Sequence, residues 1–175
     1  MQLGITALER LLRNTPEGVH TETQTPLSTT STQDIIVSDI DNSDYQEAIT
    51  AMIESGYVKN TKKFDPERPM TRNEFMKVLS LAYGFEEMSD MDEVMKFRDV
   101  GNSEFRKYIV FGIVMGWINP DMPSFRGDDS ITYGEAIKLL DAAQGKTEAN
   151  APVINKDILT REHGVSMIYE EIVVQ

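Results

Sequence analysis

The chain of 175 residues is 40% hydrophobic and 26% charged, which is enough to bury one ordinary core. Asp and Glu number 29 against 17 Lys and Arg, and the formal net charge of -12 opposes contact with phosphate backbones, so we expect no nucleic-acid partner. Since there are no cysteines and two histidines, disulfides and cysteine nucleophiles are excluded, and we expect no metal, no cofactor and no catalytic triad.

The first 36 residues are predicted to precede that core. Ile5, Leu8, Leu11 and Leu12 follow helical spacing, which predicts a short amphipathic helix within residues 1–14 that needs a partner to be stable. Residues 15–36 are rich in Thr and Ser and are predicted to form a flexible tether. The start lacks the basic region and the long apolar run of a secretory signal, and no later apolar run approaches the ~20 residues of a membrane span.

From residue 37 onward the sequence repeats itself at an interval of about 60 residues. Val37-Ser38-Asp39-Ile40 opens the first copy, and Phe97-Arg98-Asp99-Val100 opens the second. A stripe of apolar residues at helical spacing follows each opening, beginning at Tyr45 in the first copy and at Phe105 in the second. Each of these first helices is predicted to stop at a glycine, which can adopt the left-handed conformation; the two glycines are Gly56 and Gly116.

A second helix is predicted in each copy after a loop that carries one aromatic residue, Phe64 or Phe125. Thr71-Arg72-Asn73-Glu74 and Thr132-Tyr133-Gly134-Glu135 both have the capping-box form that begins a helix. A third start of the same kind lies at Thr160, but too few residues precede it for a first helix. We therefore predict two full units, residues 37–88 and 89–145, and a half unit at residues 146–175.

These motifs together resemble the S-layer homology (SLH) domain family. Its units read F-x-D-V, an aromatic-led helix, a glycine turn, a loop with F and P, and the signature I-T-R-A-E. The resemblance implies a mainly α fold of helix-loop-helix repeats around a shared helical core, here two full units plus a half unit. It also implies a non-catalytic, extracellular or cell-surface module that binds a cell-wall polysaccharide, commonly a pyruvylated and therefore anionic one.

Candidate ligand-binding residues follow from that resemblance and from local charge. The signature arginine occurs twice, as Arg72 and Arg161, and Arg can hold a carboxylate with two hydrogen bonds. A loop of the first unit adds a basic cluster that includes Lys59 and Lys63. The other candidates are the aromatic and turn residues Tyr45, Gly56, Gly116 and Trp117. A surface role for either arginine, core packing for Tyr45, backbone geometry for the glycines and a structural role for Trp117 are the alternatives.

Two function hypotheses remain open at this stage. The first is anchoring to an anionic cell-wall polysaccharide through grooves between the units. The alternative is a structural or assembly protein that uses the same scaffold and the N-terminal helix for protein-protein interaction, favoured by Tyr133 in place of the signature arginine and by the shortened third unit. Residues 1–14 would then dock on their own chain or on another chain. We expect no enzyme, because the sequence contains no set of nucleophile and base.

Overall fold

The computed structural model describes residues 34–87, 96–146 and 155–173, which lie in one compact unit, Thr32–Gln175. The five helices of these residues are α1 (Gln46–Glu54), α2 (Arg72–Ala82), α3 (Arg106–Val114), α4 (Tyr133–Ala143) and α5 (Arg161–Val173). The prediction of a mainly α fold is confirmed. The predicted helix within residues 1–14, and the tether up to residue 33, lie outside the described residues.

The first helices α1 and α3 end where the sequence predicts. Gly56 and Gly116 follow the C-caps with φ angles of 75° and 78°. No atom lies within 4 Å of the position that a Cβ would occupy at either glycine. The left-handed backbone conformation, and not lack of space, therefore favours glycine at both turns.

The helices α2 and α4 begin with complete capping boxes. Thr71 accepts a hydrogen bond from the backbone N–H of Glu74, whose carboxylate accepts one from the backbone N–H of Thr71. Thr132 and Glu135 make the same pair of contacts at the start of α4. These reciprocal bonds satisfy N–H groups that a helix terminus otherwise leaves free, so the local sequence fixes where each helix begins.

A closed ring of backbone hydrogen bonds joins the starts of α2, α4 and α5. The N–H of Met70 donates to the carbonyl of Leu159 at 2.9 Å, the N–H of Leu159 to Ile131 at 3.0 Å, and the N–H of Ile131 to Met70 at 2.9 Å. Each of these residues directly precedes the threonine of a helix start, and each is at most 1% exposed. The three starts therefore meet at one point in the core.

Around this ring each first helix packs on the second helix of another segment. Helix α1 packs on α5, and α3 packs on α2. Helix α5 also contacts α2 and, over a smaller area, α4. The core includes the large side chains of Phe64, Phe75, Met76 and Ile109, all at most 1% exposed. This arrangement places the loops that follow α1 and α3 against the N-termini of second helices.

Candidate functional site

The loops after α1 and α3 are held by the aspartates of the two opening motifs. Asp39 accepts hydrogen bonds from the backbone N–H groups of Phe64, at 2.7 Å, and Asp65, at 2.8 Å. Asp99 accepts the equivalent bonds from Phe125 and Arg126 at 2.9 and 2.6 Å. Burial by itself raises the pKa of Asp39 and of Asp99, but these donors outweigh it, and both pKa values lie below the usual value.

The aspartates position the phenylalanine of each loop beside an arginine at a helix start. The residue after Phe64 and the residue after Phe125 both have a positive φ, 58° and 57°. This sharp turn directs each phenylalanine into the core, where both are at most 3% exposed. We name the two equivalent positions after their arginines: the Arg72 cleft, which is a cavity, and the Arg161 cleft, which is defined by the contacts of Arg161 with Phe64.

Arg72 is buried in its cleft, with 9% of the residue exposed. Its guanidinium is 2.5 Å from the Glu135 carboxylate and 5.9 Å from the centre of the Phe125 ring. The interpretation of Arg72 as an ordinary surface residue is therefore wrong. A buried pair of this kind neutralises most of the charge that the arginine could offer to a ligand.

The Arg72 cleft is a cavity of about 410 Å³ lined by Arg72, Trp117, Asn119, Ser124, Phe125, Arg126 and Glu135, among others. Trp117 is 7% exposed and makes edge-to-face contacts with Tyr83 and Phe111, each at 5.4 Å between ring centroids. It is thus a packed wall of the cavity and not a half-exposed side chain.

Arg161 has the equivalent position at the start of α5, but its charge is less neutralised. The guanidinium lies 4.5 Å from the centre of the Phe64 ring and donates a hydrogen bond to the Phe64 carbonyl. Glu74, the equivalent of Glu135, is instead bound by Arg68 at 2.6 Å. Among the described residues Arg161 makes no ion pair, and burial lowers its pKa below the usual value.

The candidate lysines belong to the loop that ends at Phe64. Lys59 and Lys63 are exposed, and Lys63 makes an ion pair of 2.5 Å with Asp65. Counted from the glycine turn and from the phenylalanine, they occupy the sequence positions of Asn119 and Ser124 in the other loop. The loop beside Arg161 therefore carries two lysines at positions where the loop beside Arg72 carries two uncharged residues.

The third boundary, between the starts of α4 and α5, holds an aromatic group that sequence reasoning missed. His163 hydrogen-bonds through Nε2 with the Tyr45 hydroxyl and through Nδ1 with the Thr160 hydroxyl, both at 2.6 Å. The rings of Tyr45 and Tyr133 lie 4.5 and 5.8 Å from the His163 ring. A Tyr133 and His163 contact thus replaces the Arg72 and Glu135 ion pair.

The remaining candidates have these positions: Tyr45 is partly buried at the N-cap of α1, and Gly56 and Gly116 are exposed at the ends of α1 and α3. Tyr45 contacts the third boundary through His163, whereas the two glycines shape the turns that lead into the loops. The structure therefore groups Arg72 with Trp117, and Arg161 with the loop that carries the lysines.

Four carboxylates of this region make the stability of the fold depend on pH. The pKa of Asp39, Asp99 and Glu74 is lowered, and that of Glu135 falls from 4.5 to about 2, because Arg72 and the Thr132 N–H outweigh the opposing effect of burial. Stability from a carboxylate with a lowered pKa is complete above the unfolded value and is lost as the pH falls through the folded value.

We expect the melting temperature to fall progressively between about pH 5 and pH 2, in proportion to that loss of ionised carboxylate. For Glu135, whose side chain is 26% exposed, the contribution is on the order of 1 kcal/mol after screening. The variant Glu135→Gln should melt lower at pH 7 and show a shallower slope over the same range. Equal slopes for the variant and the wild type, measured by circular dichroism, would contradict this assignment.

Among the residues that the structure describes, no group of three or more His, Cys, Asp or Glu residues could hold a metal ion. Within the same ranges no helix has the length and apolar character needed to cross a membrane. Each signature arginine lies beside an aromatic ring, a combination that can hold an anionic ligand where no internal carboxylate already pairs with the arginine.

The fold and the clefts define a small helical protein built on capped helix starts that meet in a ring. Residues 38–76 match the family model described as S-layer homology domain. Over these residues the match confirms the family that the motifs suggest. No curated protein matches the chain. The family match supports a non-catalytic, cell-surface binding module of the type that anchors proteins to cell-wall polymers.

Proposed function

We propose that the chain anchors to an anionic cell-wall polysaccharide, such as a pyruvylated one, with the Arg161 cleft as the main binding site. The protein acts as a non-catalytic module at the cell surface. In this proposal the helical body comprises two full units and a half unit, and the backbone hydrogen bonds among Met70, Ile131 and Leu159 support a shared centre for them. The binding sites would lie where neighbouring units meet.

The state of Arg161 carries this proposal. Arg161 is partly exposed and makes no ion pair among the described residues. The ring and the carbonyl of Phe64 orient its guanidinium, which retains donors for a ligand carboxylate. A preoriented guanidinium loses little further side-chain entropy when it binds, which favours affinity. Lys59 and Lys63 raise the positive potential of the same loop and attract an anionic polymer.

The contrast with Arg72 separates the two clefts. Arg72 already holds a carboxylate, Glu135, at 2.5 Å, so a ligand carboxylate has to compete with an internal ion pair. In this proposal Arg72 positions the loop and the wall of its cavity, and the anionic sugar contacts Arg161. Trp117 and Gly116 then shape the Arg72 cavity, while Tyr45 supports the third boundary.

The direct test is binding of the full chain to purified wall sacculi, with and without prior removal of the pyruvyl ketal by mild acid. We expect Arg161→Gln to weaken binding by about 10- to 100-fold, since a lost charged hydrogen bond costs ~1.5–3 kcal/mol. Arg126→Gln is the matched control, because Arg126 is 55% exposed and its substitution removes the same charge, but from the Arg72 cleft. We expect it to change binding less than about threefold.

If the Arg161→Gln variant keeps its helical content and binds the sacculi as well as the wild type does, Arg161 does not belong to the binding site. Retention that does not depend on the ketal would contradict an anionic ligand, even if the arginine variant binds less well. Charge reversal of the lysines, Lys59→Glu with Lys63→Glu, should weaken binding further at low salt and have a smaller effect at high salt, because exposed charges are screened.

A further inference from the structure

The loops after α1 and α3 carry opposite charges at two equivalent positions. Directly after the phenylalanine, the first loop has Asp65 and the second has Arg126; three residues further on, they have Arg68 and Asp129. The backbone forms the same turn in both loops. The N–H of Arg68 donates to the Asp65 carbonyl, and the N–H of Asp129 donates to the Arg126 carbonyl, both at 3.2 Å. At this turn the loops therefore differ in charge and not in backbone geometry.

Arg68 and Asp129 lie at equivalent places beside the two signature arginines. The backbone N–H of Arg161 donates to the Arg68 carbonyl at 2.8 Å, and the backbone N–H of Arg72 donates to the Asp129 carbonyl at 3.0 Å. Each signature arginine thus begins its helix against the loop residue that differs in charge. A cation at this loop position attracts a neighbouring capping-box glutamate, whereas an anion repels it.

Arg68 binds both carboxylate oxygens of Glu74. Its Nη2 donates to Oε1 at 2.6 Å, and its Nη1 donates to Oε2, the oxygen that also caps α2, at 3.1 Å. In Glu135 the oxygen that does not cap the helix accepts instead from the Nη2 of Arg72, at 2.5 Å. Arg68 therefore occupies the oxygen of Glu74 that is equivalent to the one bound by a signature arginine in the other cleft.

Arg161 and Glu74 are nevertheless close enough for their charges to interact. Burial raises the pKa of Glu74, but the hydrogen bond from Arg68 and the positive charge of Arg161 contribute to a net lowering. Burial lowers the pKa of Arg161, and the negative charge of Glu74 opposes that shift. Without the side chain of Arg68, the Glu74 carboxylate would still face the charge of Arg161.

We propose that Arg68 is a positioning residue for the Arg161 site: by holding Glu74, it keeps Arg161 available to an anionic ligand. This inference rests on the proposed function and assigns the availability of that same site to the charge of one loop residue. Asp129, the acid at the equivalent position, leaves Arg72 in its internal ion pair. The signature arginine alone does not make a cleft competent for an anion; the loop charge beside it does.

The first test uses the full chain, purified wall sacculi and the variant Arg68→Gln. Glu74 should then pair with Arg161 and weaken binding about tenfold, because a site that is available in a tenth of the molecules binds ten times more weakly. Adding Glu74→Gln should restore binding to within about threefold of the wild type, since glutamine also serves in a capping box. Adding Glu67→Gln instead restores the same net charge at an exposed neighbour and should not rescue binding.

A second test measures melting temperatures and needs no polysaccharide. In the wild-type background, the losses caused by Glu74→Gln and by Arg161→Gln should nearly add, because the two residues make no ion pair. In the Arg68→Gln background, the combined loss should be smaller than the sum by about 3 °C or more, because both substitutions then break one ion pair.

Three results would overturn the role of Arg68. These are wild-type binding by Arg68→Gln, weak binding that Glu74→Gln does not relieve, and equal additivity of the melting temperatures in both backgrounds. Failure of the wild-type chain to bind sacculi would instead refute the proposed function. The melting temperatures would then still decide whether Arg68 keeps Glu74 from pairing with Arg161.

Discussion

Phe75→Ala should lower the stability of the fold by about 3–5 kcal/mol, the largest loss that we expect from a single substitution. Phe75 is 0% exposed on the first turns of α2, and its ring lies 3.5 Å from the position that a Cβ of Gly164 would occupy. Removing the ring leaves a cavity beside the hydrogen-bonded ring that joins the three helix starts. Thermal unfolding followed by circular dichroism should show a melting temperature lower by about 10 °C.

Ile137→Ala is the matched control for this loss, because it also truncates an apolar side chain on a second helix. Its side chain is 47% exposed, so we expect a change below about 1 kcal/mol. Phe75→Leu should recover more than half of the loss by filling most of the cavity. If Phe75→Ala and Ile137→Ala destabilise the chain equally, Phe75 does not occupy the centre of the core.

The sequence predicted the elements whose causes are local. A capping box needs only a threonine and a glutamate three residues apart, so the starts of α2 and α4 could be read directly. The glycine turns were predictable for the same reason, since Gly56 adopts a conformation that other residues avoid. The stripe of α1 likewise indicated its buried side, and Ile49 and Met52 are at most 1% exposed.

The clefts could be predicted only in part, because they depend on contacts between distant segments. The motif identified Arg72 and Arg161 together, but their different states follow from which carboxylate each one meets. Glu135 is 63 residues from Arg72, and the ring of backbone bonds determines that they meet. Arg68, six residues before Glu74, binds that carboxylate and so leaves Arg161 without an ion pair to it.

The third boundary shows a similar limit. In the sequence, Tyr133 replaces the signature arginine of one helix start, and His163 has the position of the capping-box glutamate in another. In the structure His163 contacts both Tyr133 and Tyr45, so the two changes together replace an ion pair by an aromatic contact. The available signal was their spacing, since each has the position of one member of the Arg72 and Glu135 pair.

Arg72→Ala should destabilise the fold by about 2–3 kcal/mol, because it removes the partner of a largely buried carboxylate and the packing against Phe125. Complete burial of the pair would make the loss larger, but Glu135 keeps a second contact to Arg126 at 2.9 Å. The melting temperature should fall by about 5–10 °C at pH 7. The difference from wild type should shrink as the pH falls from about 4.5 toward 2, the folded pKa of Glu135, at which half of this carboxylate is protonated.

Arg126→Ala tests this assignment, because Arg126 is an exposed partner of the same carboxylate, Glu135. Arg126 is 55% exposed against 11% for Arg72, so its removal should cost no more than about 1 kcal/mol. Arg72→Ala should reduce stability but, below its melting temperature, retain most wall binding. Arg161→Gln should lose wall binding. If Arg72→Ala melts like the wild type and fails to bind sacculi, the ligand displaces Glu135 from Arg72, and the Arg72 cleft is the main site.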